Sequence, residues 1–257
     1  MSQSPFLKAA IEAAKAGEQV IRHYYQTNIG ITIKADRTPV TVADVETEQA
    51  IKAVLTQSFP DHGFYGEETG RSHADADYVW LVDPIDGTKS FVREYPFFST
   101  QIALMHRGEL ILGVSNAPAF GAGEMAWAER GQGAFLDGRP IRVSDIEAPD
   151  QATLSLGNIK TLTQDAERWA RTGELIRSVS RIRGYGDFYH YHLLASGRID
   201  MVIESDVNIL DVAALSVIVS EAGGCFTQHD GSPLGLDTTA VVASNGRLHP
   251  LALATVR

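Results

Sequence analysis

The sequence predicts a layered protein in which α-helices and β-strands alternate, and three observations carry that prediction. The stretch Tyr78-Val79-Trp80-Leu81-Val82-Asp83 is apolar almost throughout, as a strand buried on both faces must be. From Thr153 onward, short β-like runs alternate with helical ones, the pattern of a sheet covered by helices. The 257 residues are 44% hydrophobic and 21% charged, which suits a globular fold and excludes a disordered, collagen-like or coiled-coil chain. Folding a chain of this length hides roughly 73% of its unfolded surface, enough for one large domain or two intimate ones.

The elements follow in order. Ser4-Pro5 starts a helix, with Pro in the first turn where its missing N–H costs nothing. Leu7, Ala10, Ile11, Ala14, Ile21 and Tyr25 then share one helical stripe. A polar, extended stretch runs from Ile33 to Val40. Thr41-Val42-Ala43-Asp44 has capping-box spacing and opens a second helix to about Ser58. After Pro60 come β-like runs from Gly63 to Glu67 and from Tyr78 to Asp83. Phe98 to Met105 and Leu110 to Val114 form a hairpin turning at Arg107-Gly108. Met125 to Ala128 and Ala134 to Leu136 continue the β character across Gly131-Gln132-Gly133.

The chain turns polar from Ser144 to Asp150, which divides it into an N-terminal α+β half (1–147) and a C-terminal α/β half (148–257). In the second half the expectations are a strand near Thr153, a helix Gln164 to Ile176 and a strand Ser178 to Ile182. They continue with a helix Phe188 to Ser196, a strand Ile199 to Ile203 and a helix Leu210 to Ala222. Strands Cys225 to Thr227 and Ala240 to Ala243 complete the series.

Composition narrows the function. There are 32 acids and 22 bases, for a formal net charge of −10, so a broad basic footprint for nucleic acid is not expected. The lone Cys225 permits neither an intrachain disulfide nor a cysteine zinc cluster. No apolar run reaches membrane-spanning length. The opening Met1-Ser2-Gln3-Ser4-Pro5 lacks the basic and apolar regions of a signal peptide. A cytoplasmic protein with neither membrane nor nucleic-acid partners is therefore expected.

The richest segment is Asp83-Pro84-Ile85-Asp86-Gly87-Thr88-Lys89-Ser90-Phe91. Two carboxylates stand three apart across a Pro, at the end of a buried strand. Pro84 stops the ladder and biases Asp83 toward an extended conformation. Gly87 lets the backbone approach a ligand, and Gly87-Thr88 can open a helix whose free N–H groups suit an anion. Two hard oxygen ligands beside a phosphate cradle fit Mg²⁺, which commonly bridges to substrate phosphate. A plain Asp-Pro-Gly turn is the competing explanation. Gly66-Glu67-Glu68 and Asp211, at the start of an apolar helix, add further acids.

Taken together, Gly66-Glu67-Glu68, Asp83-Pro84-Ile85-Asp86-Gly87-Thr88 and Asp211-Val212-Ala213-Ala214 resemble the inositol monophosphatase family, from Lys34 to about Gly246. The resemblance implies a fold of α-β-α-β-α layers, a Li⁺-sensitive and Mg²⁺-dependent phosphatase, two to three Mg²⁺ per site, and a homodimer. It implies that Glu67, Asp83 and the Ile85 carbonyl hold one Mg²⁺, that Asp83, Asp86 and Asp211 hold a second, and that Glu67 also lies near a looser third. It gives Gly87 and Thr88 the phosphate. It gives the Thr88 hydroxyl, supported by Asp44, the orientation and deprotonation of the attacking water. Thr41 and Asp44 would also form a capping box without any catalysis.

Arg183-Gly184-Tyr185-Gly186-Asp187-Phe188 resembles the histidinol-phosphatase branch of that family, whose substrate is L-histidinol phosphate in histidine biosynthesis. Histidinol carries an ammonium and a basic imidazole, so carboxylates such as Asp187 and Glu204 can bind it by charge-assisted hydrogen bonds. With Asp86 and Asp211 they make the expected substrate-binding set. Asp187 could instead cap the helix beginning at Phe188. Leu210 stands where the family often has Trp. Lys89 also fits the branch acting on adenosine 3′,5′-bisphosphate. The same motifs suit a broad inositol-1-phosphatase as well. A non-catalytic phosphate-binding descendant is disfavoured, because the full ligand set and Thr88 are present. Gly113-Val114-Ser115-Asn116-Ala117 lacks the closing Gly of a nucleophile elbow. His190 and His192, two apart on a helix, face different directions and should not share a metal.

Overall fold

The computed structural model describes residues 3–27, 31–33 and 39–257. Residues 34–38 of the polar stretch, and with them Lys34 at the start of the family resemblance, lie outside the described residues. Helix α1 (Pro5–Tyr24) starts where the Ser4 hydroxyl accepts from the Leu7 N–H at 3.1 Å. It buries Leu7, Ala10, Ala14 and Ile21 of the predicted stripe, leaves Ile11 half-buried, and ends before Tyr25, which is its half-buried C-cap. Strands β1 (Ile31–Ile33) and β2 (Pro39–Thr41) pair antiparallel. Helix α2 (Val42–Ser58) begins at the predicted capping box and ends at the predicted residue.

The larger sheet has eight strands. They are β3 (Gly63–Gly66), β4 (Gly70–Ser72), β5 (Tyr78–Asp86), β6 (Ser99–His106), β7 (Glu109–Ala117), β8 (Glu124–Glu129), β9 (Ala134–Leu136) and β10 (Arg139–Ile141). Their order is β10-β9-β8-β7-β6-β5-β3-β4. Neighbours are antiparallel except β3 and β5, which run parallel and so deliver Gly66 and Val82 to the same edge. A one-turn helix, α3 (Thr88–Val92), follows β5. The β6–β7 hairpin turns at Arg107 and Gly108, both with positive φ, as tight turns matched to strand twist require.

The smaller sheet has five strands: β11 (Thr153–Gly157), β12 (Arg181–Arg183), β13 (Met201–Ser205), β14 (Cys225–Gln228) and β15 (Ala240–Ser244). Their order is β12-β11-β13-β15-β14, with β12, β11 and β13 parallel and β15 antiparallel to both its neighbours. The accompanying helices are α4 (Ile159–Leu162), α5 (Ala166–Ser178), α6 (Asp187–Ala195), α7 (Ile209–Glu221) and α8 (His249–Val256).

These elements stack as α-β-α-β-α layers. Helices α1 and α2 cover one face of the large sheet through Leu7, Ala10, Ile51 and Leu55 against Trp80, Val82 and Ile102. Helices α6 and α7 fill the space between the sheets, so α7 is apolar nearly all round and buried over most of its length. A helix of that composition is held by packing rather than by an amphipathic face. Helices α5 and α8 cover the outer face of the small sheet through Leu175, Ala252 and Val256. Among the described residues, no helix is long and apolar enough to cross a membrane.

The differences from expectation are local. Ser178 closes α5, its hydroxyl donating to the Leu175 carbonyl at 2.8 Å, so the strand expected from Ser178 begins only at Arg181. Helix α5 starts after Asp165, which accepts from the Arg168 N–H at 2.9 Å, rather than at Gln164. Strands β4 and β10 and helices α4 and α8 add to the expected elements; the first three have only three or four residues each. Helix α8 lacks a side-chain cap and is announced only by Pro250 in its first turn.

Candidate active site

Strand β5 carries the chain into the site. Its ladder with β6 runs regularly from Tyr78 to Asp83 and then shifts register before Asp86 pairs with Ser99. The shift falls at Pro84-Ile85, because Pro has no N–H to continue the ladder. The irregular backbone is still anchored. Oδ1 of Asp83 accepts from the Ile85 N–H at 3.0 Å, and the Thr100 hydroxyl donates to the Pro84 carbonyl at 2.8 Å. Bulges of this kind re-aim side chains at the ends of strands. Here the result is that Asp83 and Asp86 converge.

Asp211 joins them from the start of α7. The ligand oxygens of Asp83, Asp86 and Asp211 all lie within 4.8 Å of one another. Burial drives the Asp83 carboxyl well above its ordinary range, and the neighbouring charges of Glu67, Asp86 and Asp211 push it further. Asp86 is driven up in the same way by burial and then by Asp211, Asp187, Glu204 and Glu67. Burial pushes Asp211 up to about 7, against the opposing pull of the Asn208 N–H. Three desolvated acids facing one another are unstable as anions unless a cation joins them. The donor set is all oxygen, which suits a hard divalent ion. Glu67 adds a fourth carboxylate through a side-chain hydrogen bond to Asp83.

Gly87 follows in a left-handed conformation, φ 91°, at the start of α3. A Cβ there would lie 2.6 Å from the Phe97 carbonyl oxygen, so only glycine lets the chain turn so close to its neighbour. Thr88 Oγ1 lies 3.2 Å from Oδ1 of Asp44 and 3.1 Å from the Ile85 carbonyl. Asp44 is 1% exposed. Its other oxygen accepts from the Thr41 N–H and hydroxyl, both at 2.7 Å. Burial raises the Asp44 carboxyl, partly offset by the Thr41 hydrogen bonds, with the Glu67 charge adding to the rise. The capping and site-facing roles of Asp44 thus use different oxygens.

Asp187 and Glu204 stand on the side of the site formed by the C-terminal half. Asp187 begins α6 with φ 45°, an uncommon conformation for a side chain other than Asn or Asp. It makes no capping hydrogen bond; Gly186 holds the cap position. Burial and then the Glu204 charge lift Asp187 to about 6, while His190 and Lys89 pull the other way. Glu204, near the end of β13, is buried. Its Oε2 accepts from the Tyr191 hydroxyl at 2.6 Å and pairs with Nε2 of His190 at 3.0 Å. His190 is 0% exposed, and its Nδ1 lies 3.3 Å from the Ser155 hydroxyl.

Sequence reasoning singles out Glu67, Asp83, Ile85, Asp86, Gly87, Thr88, Asp44, Asp211, Asp187 and Glu204. The structure gathers these residues around one site. Tyr191 and His190, the groups holding Glu204, are not found that way. Their contacts with Glu204 span 13 and 14 residues and leave no local pattern in the sequence. As expected, His192 points elsewhere, bridging Glu124 at 2.7 Å and the Ser115 hydroxyl at 2.9 Å.

Known proteins share this sequence pattern and this fold. A sequence profile of the inositol monophosphatase family matches residues 2–257. The histidinol-phosphatase of Mycobacterium tuberculosis is 39% identical over 260 residues, covering 97% of this chain and 96% of that protein. The inositol-1-monophosphatase of Caulobacter vibrioides is 32% identical over 255 residues, covering 96% of this chain and 99% of that protein. The crystal structure of the extragenic suppressor protein suhB from Bartonella henselae superposes with a TM-score of 0.89 at 29% identity, covering 99% of each chain. With its layered fold, its converging carboxylates and a match along its whole length, the chain belongs to the inositol monophosphatase family of phosphoric monoester hydrolases.

Proposed function

We propose that the protein is a Mg²⁺-dependent phosphomonoesterase that hydrolyses L-histidinol phosphate to L-histidinol and phosphate. The observation that carries the substrate choice is the second acidic wall, Asp187 and Glu204, beside the Asp83–Asp86–Asp211 cluster. Histidinol phosphate brings an ammonium and an imidazole to that wall, and charge-assisted hydrogen bonds are the strong ones. An inositol phosphate brings only hydroxyls.

Glu67, Asp83, the Ile85 carbonyl, Asp86 and Asp211 would hold two Mg²⁺, with a looser third near Glu67. When bound, the cations supply positive charge that lowers the pKa of a nearby water and stabilises charge on the phosphoryl and leaving oxygens. The chain's residues do the rest. Backbone N–H groups at Gly87 and Thr88 receive the phosphate. The attacking water gives its proton to Oγ1 of Thr88, whose own proton passes to Oδ1 of Asp44, 3.2 Å away. The raised Asp44 carboxyl is better matched to accept that proton near neutral pH than an ordinary aspartate. Asp187 and Glu204 orient the cationic end of the substrate, with Asp86 and Asp211 along its alcohol side.

The test is phosphate release from L-histidinol phosphate, inositol 1-phosphate and adenosine 3′,5′-bisphosphate, with and without Mg²⁺. Histidinol phosphate should give the highest kcat/KM, and release should need the metal. A higher kcat/KM for inositol 1-phosphate would favour the second reading, a broad inositol-1-phosphatase, which the likeness to the Caulobacter vibrioides protein supports. A cytoplasmic homodimer is the proposed working form.

A further inference from the structure

We infer that Glu48 is a positioning residue for metal binding: from α2, it holds the loop that presents Glu67. Glu48 is 0% exposed. Its Oε2 accepts from the Glu68 N–H at 2.7 Å and its Oε1 from the Thr69 N–H at 2.8 Å. The Glu67 N–H, one residue earlier, donates to the Val82 carbonyl on β5 at 3.2 Å. Three successive backbone donors are therefore fixed, two by one buried carboxylate and one by the strand that carries Asp83. Glu67 sits at the join.

The fit around Glu48 is close on its other side. A Cβ at Gly66 would lie 2.4 Å from the Glu48 carboxyl carbon and 2.5 Å from each of its oxygens. Gly66 thus opens the space that lets the carboxylate reach over the strand end. One turn further along α2, Lys52 lies over the Phe64 ring at 4.8 Å and reaches the Thr69 hydroxyl at 3.4 Å. The same helix face therefore grips the loop at two points. A fully buried carboxylate is a costly way to brace a loop, and it is stable here because both oxygens accept backbone N–H groups. What the cost secures is an oxygen ligand held in place before any cation arrives, which is how groups behind the ligands tune metal affinity.

The role of Glu48 rests on the reading of Glu67 as a metal ligand, and one experiment separates the two. Mn²⁺ is titrated into wild type, Glu48→Gln and Glu67→Gln, with free Mn²⁺ followed by electron paramagnetic resonance and folding checked by circular dichroism. The amide of Glu48→Gln keeps one acceptor and turns an N–H₂ toward a backbone N–H. Its Mn²⁺ midpoint should rise by at least about tenfold, the usual loss when a group supporting a ligand is removed. Phosphatase activity lost at low Mg²⁺ should return at high Mg²⁺. A wild-type midpoint in folded Glu48→Gln, beside a weakened Glu67→Gln, overturns the role of Glu48 alone. Unweakened binding by Glu67→Gln overturns the ligand reading and the role of Glu48 with it. If Glu48→Gln does not fold, amide exchange in metal-free wild type decides. Slow exchange at Glu68 and Thr69 supports a loop held by Glu48 before metal binds, and fast exchange there overturns it.

Discussion

The hydroxyl of Tyr191 donates to Oε2 of Glu204 at 2.6 Å, joining α6 to β13 where both side chains are buried. The Tyr191 phenol is driven well above its ordinary range by burial and by the Glu204 charge, so it stays a donor at every working pH. A hydrogen bond to a charged group contributes about 1.5–3 kcal/mol, and His190 retains Glu204 when this one is lost. Tyr191→Phe should therefore lower kcat/KM for L-histidinol phosphate by about tenfold. Inositol 1-phosphate should be affected less. Steady-state kinetics on both substrates check this.

Asp187 gives a pH dependence with a defined sign. Its carboxyl titrates at about 6, so it is anionic above that value and neutral below it. The substrate's own imidazole and phosphate titrate alike against both proteins, so the ratio of KM in Asp187→Asn to KM in wild type should be high above about 6 and fall toward one as pH drops below it. The measurement is KM against pH for both proteins at saturating Mg²⁺.

Removing one acid from the cluster should move stability and activity in opposite directions. Asp83, Asp86 and Asp211 repel one another across less than 4.8 Å, and like charges at such distances disfavour ionisation. Metal-free Asp86→Asn should melt at a higher temperature than metal-free wild type. Its Mg²⁺ requirement should rise and its turnover fall. Thermal melts in chelator and a Mg²⁺ activation curve test both halves.

Thr88→Val should remove the proton path to Asp44 while keeping the shape of the site. A loss of turnover of about 10²-fold is expected for a group that aids proton transfer, with KM little changed, and Thr88→Ser should recover most of it. Rates of the three proteins at saturating metal decide the point.

His229 should make the fold acid-sensitive. Burial and then the Arg168 charge depress its imidazole to about 4, and Nε2 is buried without a partner among the described residues. The folded protein keeps this ring neutral while the unfolded chain protonates it near the ordinary histidine value of 6.5. Its stabilising contribution is thus present above about 6.5 and is lost as pH falls toward about 4. His229→Gln should show a shallower fall in melting temperature over that range.

Local signals made much of this molecule legible. The Thr41–Asp44 box marked α2 because capping is decided within four residues, and the run from Tyr78 to Asp83 marked β5 because burial on both faces leaves no other composition. Asp83 and Asp86 stood out by their short spacing, whereas Glu67, Glu204 and Asp211, far apart in the chain, were joined to them through the resemblance to the inositol monophosphatase family. Glu48 was harder to see. It lies four residues after Asp44, on the same side of α2, yet its partners are the N–H groups of Glu68 and Thr69, which have no side-chain signature. Tyr191 and His190 were hidden for the same reason, since their contact with Glu204 spans 13 and 14 residues and depends on how α6 lies on β13. The capping role open to Asp187 is not taken up: Gly186 holds the cap position, and Asp187 itself follows it at φ 45°.

Asp44 and Asp211 occupy the same position, N3, in the capping boxes of α2 and α7. In each, one carboxylate oxygen accepts the backbone N–H at the cap, from Thr41 at 2.7 Å and from Asn208 at 2.8 Å. Those two amides are therefore built-in spectroscopic probes. Their nitrogen and proton resonances should track the charge on each acid, one in each half of the chain, as protons or cations arrive. A titration followed at Thr41 and Asn208 in nitrogen-15-enriched protein would separate filling of the Asp211 position from protonation at Asp44, with no residue changed.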